Sequence, residues 1–264
     1  MKELSFEEIR QIELDLLIDV ANFCDSHGIT YFLAYGTLLG AVRHQGFIPW
    51  DDDIDIEMPR EDYERFLALY NKEKTNDDYL AVSPYEKKAR HTFGKVIDMS
   101  TLKCEASVRY ENNQPLGVDI DIFPLDGLSP DEKERKKLYR KRKIVYQCYL
   151  FSIVDSSKGK LKTRIVSWLC GLFGKDFFFK KAQKIKRFDY YQSDLVSEQS
   201  NLYVYNKIFK REWFDKTIDL PFEGHMFKVP AGYDQVLTTD YGDYMTLPPE
   251  SEQVTHHTCK MYKK

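Results

Sequence analysis

Apolar residues return at Ile9, Ile12, Leu16, Val20 and Phe23, close to the period of about 3.6 residues that gives a helix one buried stripe. Ser5 with Glu8 three residues later has the form of a capping box, and Gly28 is a natural stop, so a helix is expected over Ser5–His27. The aromatic and apolar run Thr30–Tyr35 reads as a short buried strand, and a helix is expected over Thr37–His44, closed by Gln45-Gly46. The period then changes to two. Asp53-Ile54-Asp55-Ile56-Glu57 alternates acid with isoleucine, as in a strand with one polar face and one core face. Pro59 ends it, and Arg60–Asn71 returns to helical spacing. Thr92–Asp98 and Gly117–Phe123 are expected as further strands, the second alternating again in Val118-Asp119-Ile120-Asp121-Ile122. Pro124-Leu125-Asp126-Gly127 reads as a turn. From Asp131 to about Ser200 the spacing is mostly helical, and the remainder holds a hairpin around Ile218–Val229 and a short helix at Tyr233–Leu237.

This order of elements predicts an α+β protein with a catalytic core over 1–130, a basic helical insert over 131–200 and a C-terminal hairpin and helix over 201–264 that complete the core. At 264 residues and 42% apolar content the chain can bury a sizeable core, which excludes disorder, and it has no fibrous repeat. Five scattered cysteines without a C-x-x-C pair are expected as reduced thiols. The N-terminal residues do not have the form of an export signal. The longest uncharged apolar stretch, Ile165–Gly174, is half of the roughly 20 residues a membrane-spanning helix needs. A cytoplasmic protein is therefore expected, with association at the inner face of the membrane left open.

Charge changes that picture locally. The whole chain has a net charge of −3, yet Asp131–Asp189 holds 18 Lys or Arg against 6 Asp or Glu, a local net of +12. Two surfaces with different partners would produce such an asymmetry, and so would solvated lysine-rich helices.

The chemistry concentrates in the alternating segments. In a strand Asp53 and Asp55 project from the same face while their isoleucines enter the core. Two carboxylates about 5 Å apart at an effective dielectric near 20 repel by roughly 3 kcal/mol, which a divalent cation with oxygen ligands would offset. Asp119 and Asp121 repeat the arrangement, and adjacent strands would bring the acids together as a magnesium site for phosphoryl chemistry. Asp51 and Asp52 also read as solubilising surface. About 16 residues upstream, Tyr35-Gly36-Thr37 runs from strand to helix, where Gly36 and the Thr37 hydroxyl would hold a phosphate at the helix N-terminus.

The unbroken segment Gly36-Thr37-Leu38-Leu39-Gly40-Ala41-Val42-Arg43-His44-Gln45-Gly46-Phe47-Ile48-Pro49-Trp50-Asp51-Asp52-Asp53-Ile54-Asp55-Ile56 resembles the signature of the LicD family of bacterial phosphotransferases, which is similar to the fukutin-type sugar-phosphate transferases. Asp121-Ile122-Phe123-Pro124-Leu125-Asp126-Gly127 resembles the second block of that family. Tyr241-Gly242-Asp243-Tyr244-Met245, with Pro248-Pro249 and His256-His257, resembles its C-terminal block. The resemblance implies a nucleotidyltransferase-like core, a mixed sheet flanked by helices. It also implies transfer of phosphocholine from CDP-choline to a cell-surface glycan, commonly a teichoic acid precursor. Relatives move ribitol phosphate or other phosphorylated groups. By the same comparison Asp53 and Asp55 match the metal-binding pair and Asp121 the third acid, with Asp119 an alternative on that strand.

The expected mechanism follows from these assignments. One or two Mg2+ ions, or Mn2+ instead, are expected on Asp53, Asp55 and Asp121, bridging the donor diphosphate while Asp121 accepts the proton of the attacking hydroxyl. Gly36, Thr37, Arg43 and Lys95 are expected to bind the donor, with His44 a hydrogen-bonding residue. A quaternary ammonium needs ring faces, for which Trp50 and Tyr85 are candidates. His256 and His257 have too little ligand spacing around them to indicate zinc. The acceptor is expected to be a glycan or lipid-linked glycan, and the basic, apolar segment 158–187 is a candidate for peripheral contact with an anionic membrane. A nucleotidyltransferase moving NMP from an NTP uses the same carboxylate chemistry and is the alternative enzyme. A basic nucleic-acid-binding module is the non-enzymatic one; no nucleic acid is expected, because the basic residues follow no recognition motif.

Overall fold

The computed structural model describes residues 1–86, 91–104, 116–153, 160–200, 207–255 and 259–264. The chain opens with strand β1 (Lys2–Glu3) and helix α1 (Phe6–His27). Ser5 caps α1 as the sequence suggests: its Oγ accepts from Glu8 N at 3.2 Å, and Glu8 Oε2 accepts from Ser5 N at 2.8 Å. Gly28 ends the helix in the left-handed conformation. Next come β2 (Phe32–Leu33), α2 (Tyr35–Arg43), β3 (Asp55–Pro59) and α3 (Arg60–Glu73). They are followed by β4 (Tyr79–Val82), β5 (Gly94–Asp98), β6 (Thr101–Cys104) and the long β7 (Val118–Gly127). Three helices follow, α4 (Glu132–Ile153), α5 (Leu161–Phe173) and α6 (Lys175–Gln183). The chain then forms β8 (Leu195–Glu198), β9 (Phe209–Lys210), the hairpin β10 (Thr217–Phe222) and β11 (His225–Pro230), α7 (Tyr233–Tyr241) and β12 (Lys260–Lys263).

The central sheet is mixed and seven-stranded, in the order β2-β3-β7-β5-β4, with β8 on the far half of β7 and β9 beyond it. Among the described residues only β3 and β7 run parallel in it. Ile56 pairs with Ile122, and Ile120 pairs with Val96, and all four are fully buried. Tyr63 and Leu67 of α3 close over Gly94 on this face, and the same core takes in Leu16, Leu17 and Val20 of α1. A second, antiparallel sheet, β1-β12-β6, ties the chain ends together.

Four local expectations are revised. Asp53 precedes the strand, which begins at Asp55. The 30–35 strand shortens to Phe32–Leu33 because α2 starts two residues earlier than expected, at Tyr35. Pro124–Gly127 is no turn but the end of β7, paired with β3 through Leu125 and with β8 through Gly127. Leu195–Glu198, expected within the helical stretch, is a strand of the central sheet. The five cysteines are free thiols, and among the described residues no helix is long and apolar enough to cross a membrane. His256 and His257 lie outside the described residues.

Candidate functional site

Strand register builds the site. Asp55 of β3 pairs with Asp121 of β7, and Asp121 pairs in turn with Lys95 of β5, so three charged side chains form one row across adjacent strands. Residues paired across strands project from the same face. The isoleucines at alternate positions commit the other face to the core, which leaves this row on the opposite face of the sheet. Lys95 Nζ forms ion pairs with both Asp119 and Asp121, and Lys103 Nζ reaches Asp119 Oδ1 at 2.7 Å.

The charges of this cluster explain its protonation. Burial alone would discharge Lys95, but Asp119 and Asp121 outweigh it and hold the ammonium well above the usual lysine range. Burial also opposes the charge of Asp119, yet Lys95 and Lys103 hold its carboxyl far below the usual range. Asp55 has no such support. Burial, then Asp53, Asp121 and Asp51, push its carboxyl well up, and Lys95 only partly offsets them. Burial raises Asp121 too, against the pull of Lys95. Asp119 is therefore a lysine-clamped acid, whereas the raised carboxyls of Asp55 and Asp121 lack so strong a clamp and would be drawn to the charged form by a cation bound with Asp53 beside them.

Such a hard-oxygen donor set suits Mg2+ or Mn2+, which take one or two carboxylates and complete their shell with substrate phosphate and water. Among the described residues no group of three or more His, Cys, Asp or Glu is arranged as a ready-made metal cage. A cation at Asp53, Asp55 and Asp121 would thus need oxygens from the donor itself.

The surrounding backbone is held by contacts that the sequence alone does not reveal. Thr37 Oγ1 accepts from Asp55 N at 2.9 Å, so its oxygen fixes the start of β3. A Cβ on Gly36 would collide with Oδ2 of Asp51, so the Asp51 carboxylate lies against the first turn of α2. Tyr35, at the strand-to-helix junction, has a φ of 45°, a region bulky side chains rarely enter. Its ring packs edge-on against Phe123 at 5.4 Å. Arg10 of α1 holds the acidic loop from behind, donating to Ile48 O at 2.7 Å and from Nε to Asp51 O at 3.0 Å.

Glu13 is a further acid that sequence reasoning missed. It is 2% exposed, and among the described residues its Oε2 has no hydrogen-bond partner. Burial, Asp53 and Asp119 push its carboxyl well up. The available signal was its place four residues before Leu17 and three before Leu16, on the buried stripe of α1.

Beside the acids lies a cleft of about 620 Å³ bordered by Gly36, Arg43, Trp50, Asp51, Tyr241 and Tyr244, a size typical of small-ligand sites. Arg43 donates from Nη1 to Tyr244 O at 2.8 Å and from Nε to His44 Nε2 at 2.9 Å. His44 is thus the hydrogen-bonding residue expected. Tyr241 and Tyr244 of the C-terminal block line the cleft together with Gly36 and Asp51, and partial burial, followed by Asp240, Asp55, Asp51 and Asp53, raises the Tyr241 hydroxyl. Trp50 borders the cleft. Tyr85 does not: its hydroxyl donates to Glu64 Oε1 at 2.6 Å and its ring faces Phe179 at 6.1 Å. Lys95, expected on the donor, is instead taken up by Asp119 and Asp121.

Comparison with known proteins gives the family. The family model described as LicD/FKTN/FKRP, nucleotidyltransferase domain, matches residues 28–157, the stretch that supplies Asp53, Asp55, Lys95 and Asp121. The chain is 33% identical over 280 residues, covering 99% of both chains, to a lipopolysaccharide cholinephosphotransferase LicD of Haemophilus influenzae. It is 29% identical over 110 residues, 41% of this chain and 20% of the relative, to the ribitol 5-phosphate transferase FKRP of Mus musculus. With a match along its full length, the chain belongs to the LicD family and is a phosphotransferase.

Proposed function

We propose that this protein transfers phosphocholine from CDP-choline to a hydroxyl of a cell-surface glycan, of lipopolysaccharide or teichoic-acid type, and releases CMP. The observation that carries this reading is the Asp55–Asp121–Lys95 row, with an aromatic cleft bordered by Asp51 of the same acidic segment, in a chain similar over its full length to a cholinephosphotransferase. The core is read as nucleotidyltransferase-like. In the reaction the bond between the choline phosphate and the oxygen of the CMP phosphate breaks. A new phosphorus–oxygen bond forms to the acceptor.

Asp53, Asp55 and Asp121 would hold magnesium, which when bound neutralises diphosphate charge and orients the donor. Asp121 takes the proton of the attacking hydroxyl, and Lys95 holds it in line with Asp55. Thr37 fixes the Asp55 backbone, and Arg10 fixes the loop that carries Asp51. Trp50, Tyr241 and Tyr244 offer ring faces to a quaternary ammonium, which makes no hydrogen bond. Arg43, on the same cleft wall, supplies positive charge toward the nucleotide phosphates.

The similarity to a ribitol 5-phosphate transferase keeps a sugar-alcohol phosphate as the second reading of the transferred group. Incubation with CDP-choline, CDP-ribitol and the four NTPs separates these. CMP release from CDP-choline at least tenfold faster than from CDP-ribitol, with no pyrophosphate from the NTPs, is expected. Preference for CDP-ribitol or for an NTP would overturn the choline assignment.

A further inference from the structure

Helix α5 is amphipathic in the wrong sense for a helix that only packs on its own protein. Its buried side chains are Ser167 and Cys170, the first donating from its hydroxyl to Phe151 O at 2.8 Å and the second packed near Tyr149 and Phe178. Leu161, Ile165, Trp168 and Leu172, spaced to share one stripe, are 71%, 50%, 65% and 65% exposed. Phe173, 61% exposed, continues the apolar surface, its ring stacked at 5.1 Å on Phe177 of α6. Exposed bases border this surface: Lys160, Lys162 and Arg164 at the start of α5, and Lys180, Lys181 and Lys184 toward the end of α6 and just beyond.

From this arrangement we infer that the outward face of α5, with Phe177, docks on an anionic lipid bilayer. A contiguous apolar face of this kind marks an interaction surface. Its pairing of large apolar side chains and a tryptophan with flanking bases is that of a helix lying in the membrane interface. The local net of +12 over Asp131–Asp189 is complementary to an anionic leaflet. A second copy of the chain fits less well, because it would set that same positive segment against itself. The inference does not depend on which phosphorylated group is transferred.

Flotation of the full-length protein with phosphatidylcholine vesicles, with and without phosphatidylglycerol, tests it. The wild type is expected to float with the anionic vesicles at low salt, to be released as salt rises, and to remain behind with neutral ones. Trp168→Glu/Leu172→Glu should cut binding at least tenfold at unchanged thermal stability. Lys162→Glu/Arg164→Glu, which leaves the apolar face intact, should cut it several-fold and supplies the answer should the first variant fold poorly. Failure of the wild type to float at low salt overturns the inference. So does full binding by a folded Trp168→Glu/Leu172→Glu variant, or sedimentation showing a dimer lost in that variant with no vesicle binding.

Discussion

Lys95 balances the charge on the polar face of the sheet. It is shared by Asp119 and Asp121, and the three side chains are 12%, 5% and 23% exposed. Removing one partner of a buried ion pair costs about 3–5 kcal/mol, because the charge left behind stays desolvated. Lys95→Met should therefore lower stability by about 3 kcal/mol in urea unfolding, since Lys103 still supports Asp119, and should abolish transfer. Unaltered stability would show that the clamp contributes nothing. The alternation of acids with isoleucines made Asp55 and Asp121 legible in the sequence, because the period of a strand is local information. The position of Lys95 was not legible, since it depends on the register of a strand about 25 residues away from Asp121. Glu13 was hidden by its type: a glutamate in an amphipathic helix ordinarily belongs to the wet face, and only tertiary packing on the acids turns this one inward.

At the scale of elements, the end of β7 shows why local turn chemistry misled. Pro124 and Gly127 punctuate a turn in most contexts. Here Pro124 falls between the pairing with β5, which stops at Ile122, and the pairing with β8, which starts at Leu125. Its missing N–H therefore interrupts no ladder on that side. Asp126 on the same segment receives two hydrogen bonds from Arg60, both at 2.8 Å, and this fork anchors the N-terminus of α3. Gly127 is needed for space, since a Cβ would meet the backbone oxygen of Asp189 and the Ser193 hydroxyl. Gly127→Ala should lower stability by about 1–3 kcal/mol in chemical denaturation, and a neutral result would show that the Asp189 loop yields easily. Helices α1 and α3 were legible in outline because their caps and stripes are local. The short strands β4, β6, β8 and β12 were not, for each is defined by its partner more than by its own pattern.

For the molecule as a whole, acids buried beneath the site make stability depend on pH. Glu57, 4% exposed, has its carboxyl pushed up from 4.5 to about 8 by burial and by Asp240. Burial likewise raises Asp240 to about 6. A folded-state value above the unfolded one means that the native protein holds the proton longer. The stability contributed by neutral Glu57 is thus complete below about pH 4.5 and is lost as the pH rises through about 8. Melting temperature should fall across that window, and Glu57→Gln should flatten the fall, gaining about 3 kcal/mol at pH 9 relative to pH 5. Parallel curves for the two proteins would contradict this assignment.

The central claim is that one row of carboxylates, set by the register of β3 on β7, transfers a phosphorylated choline. Its most direct test is CMP release from CDP-choline with a glycan acceptor and Mg2+, measured for the wild type and for Asp55→Asn. Transfer by the wild type, its loss on chelation, and a fall of at least about 100-fold in Asp55→Asn at equal or higher thermal stability are expected. A folded Asp55→Asn protein that transfers phosphocholine at the wild-type rate would contradict the account.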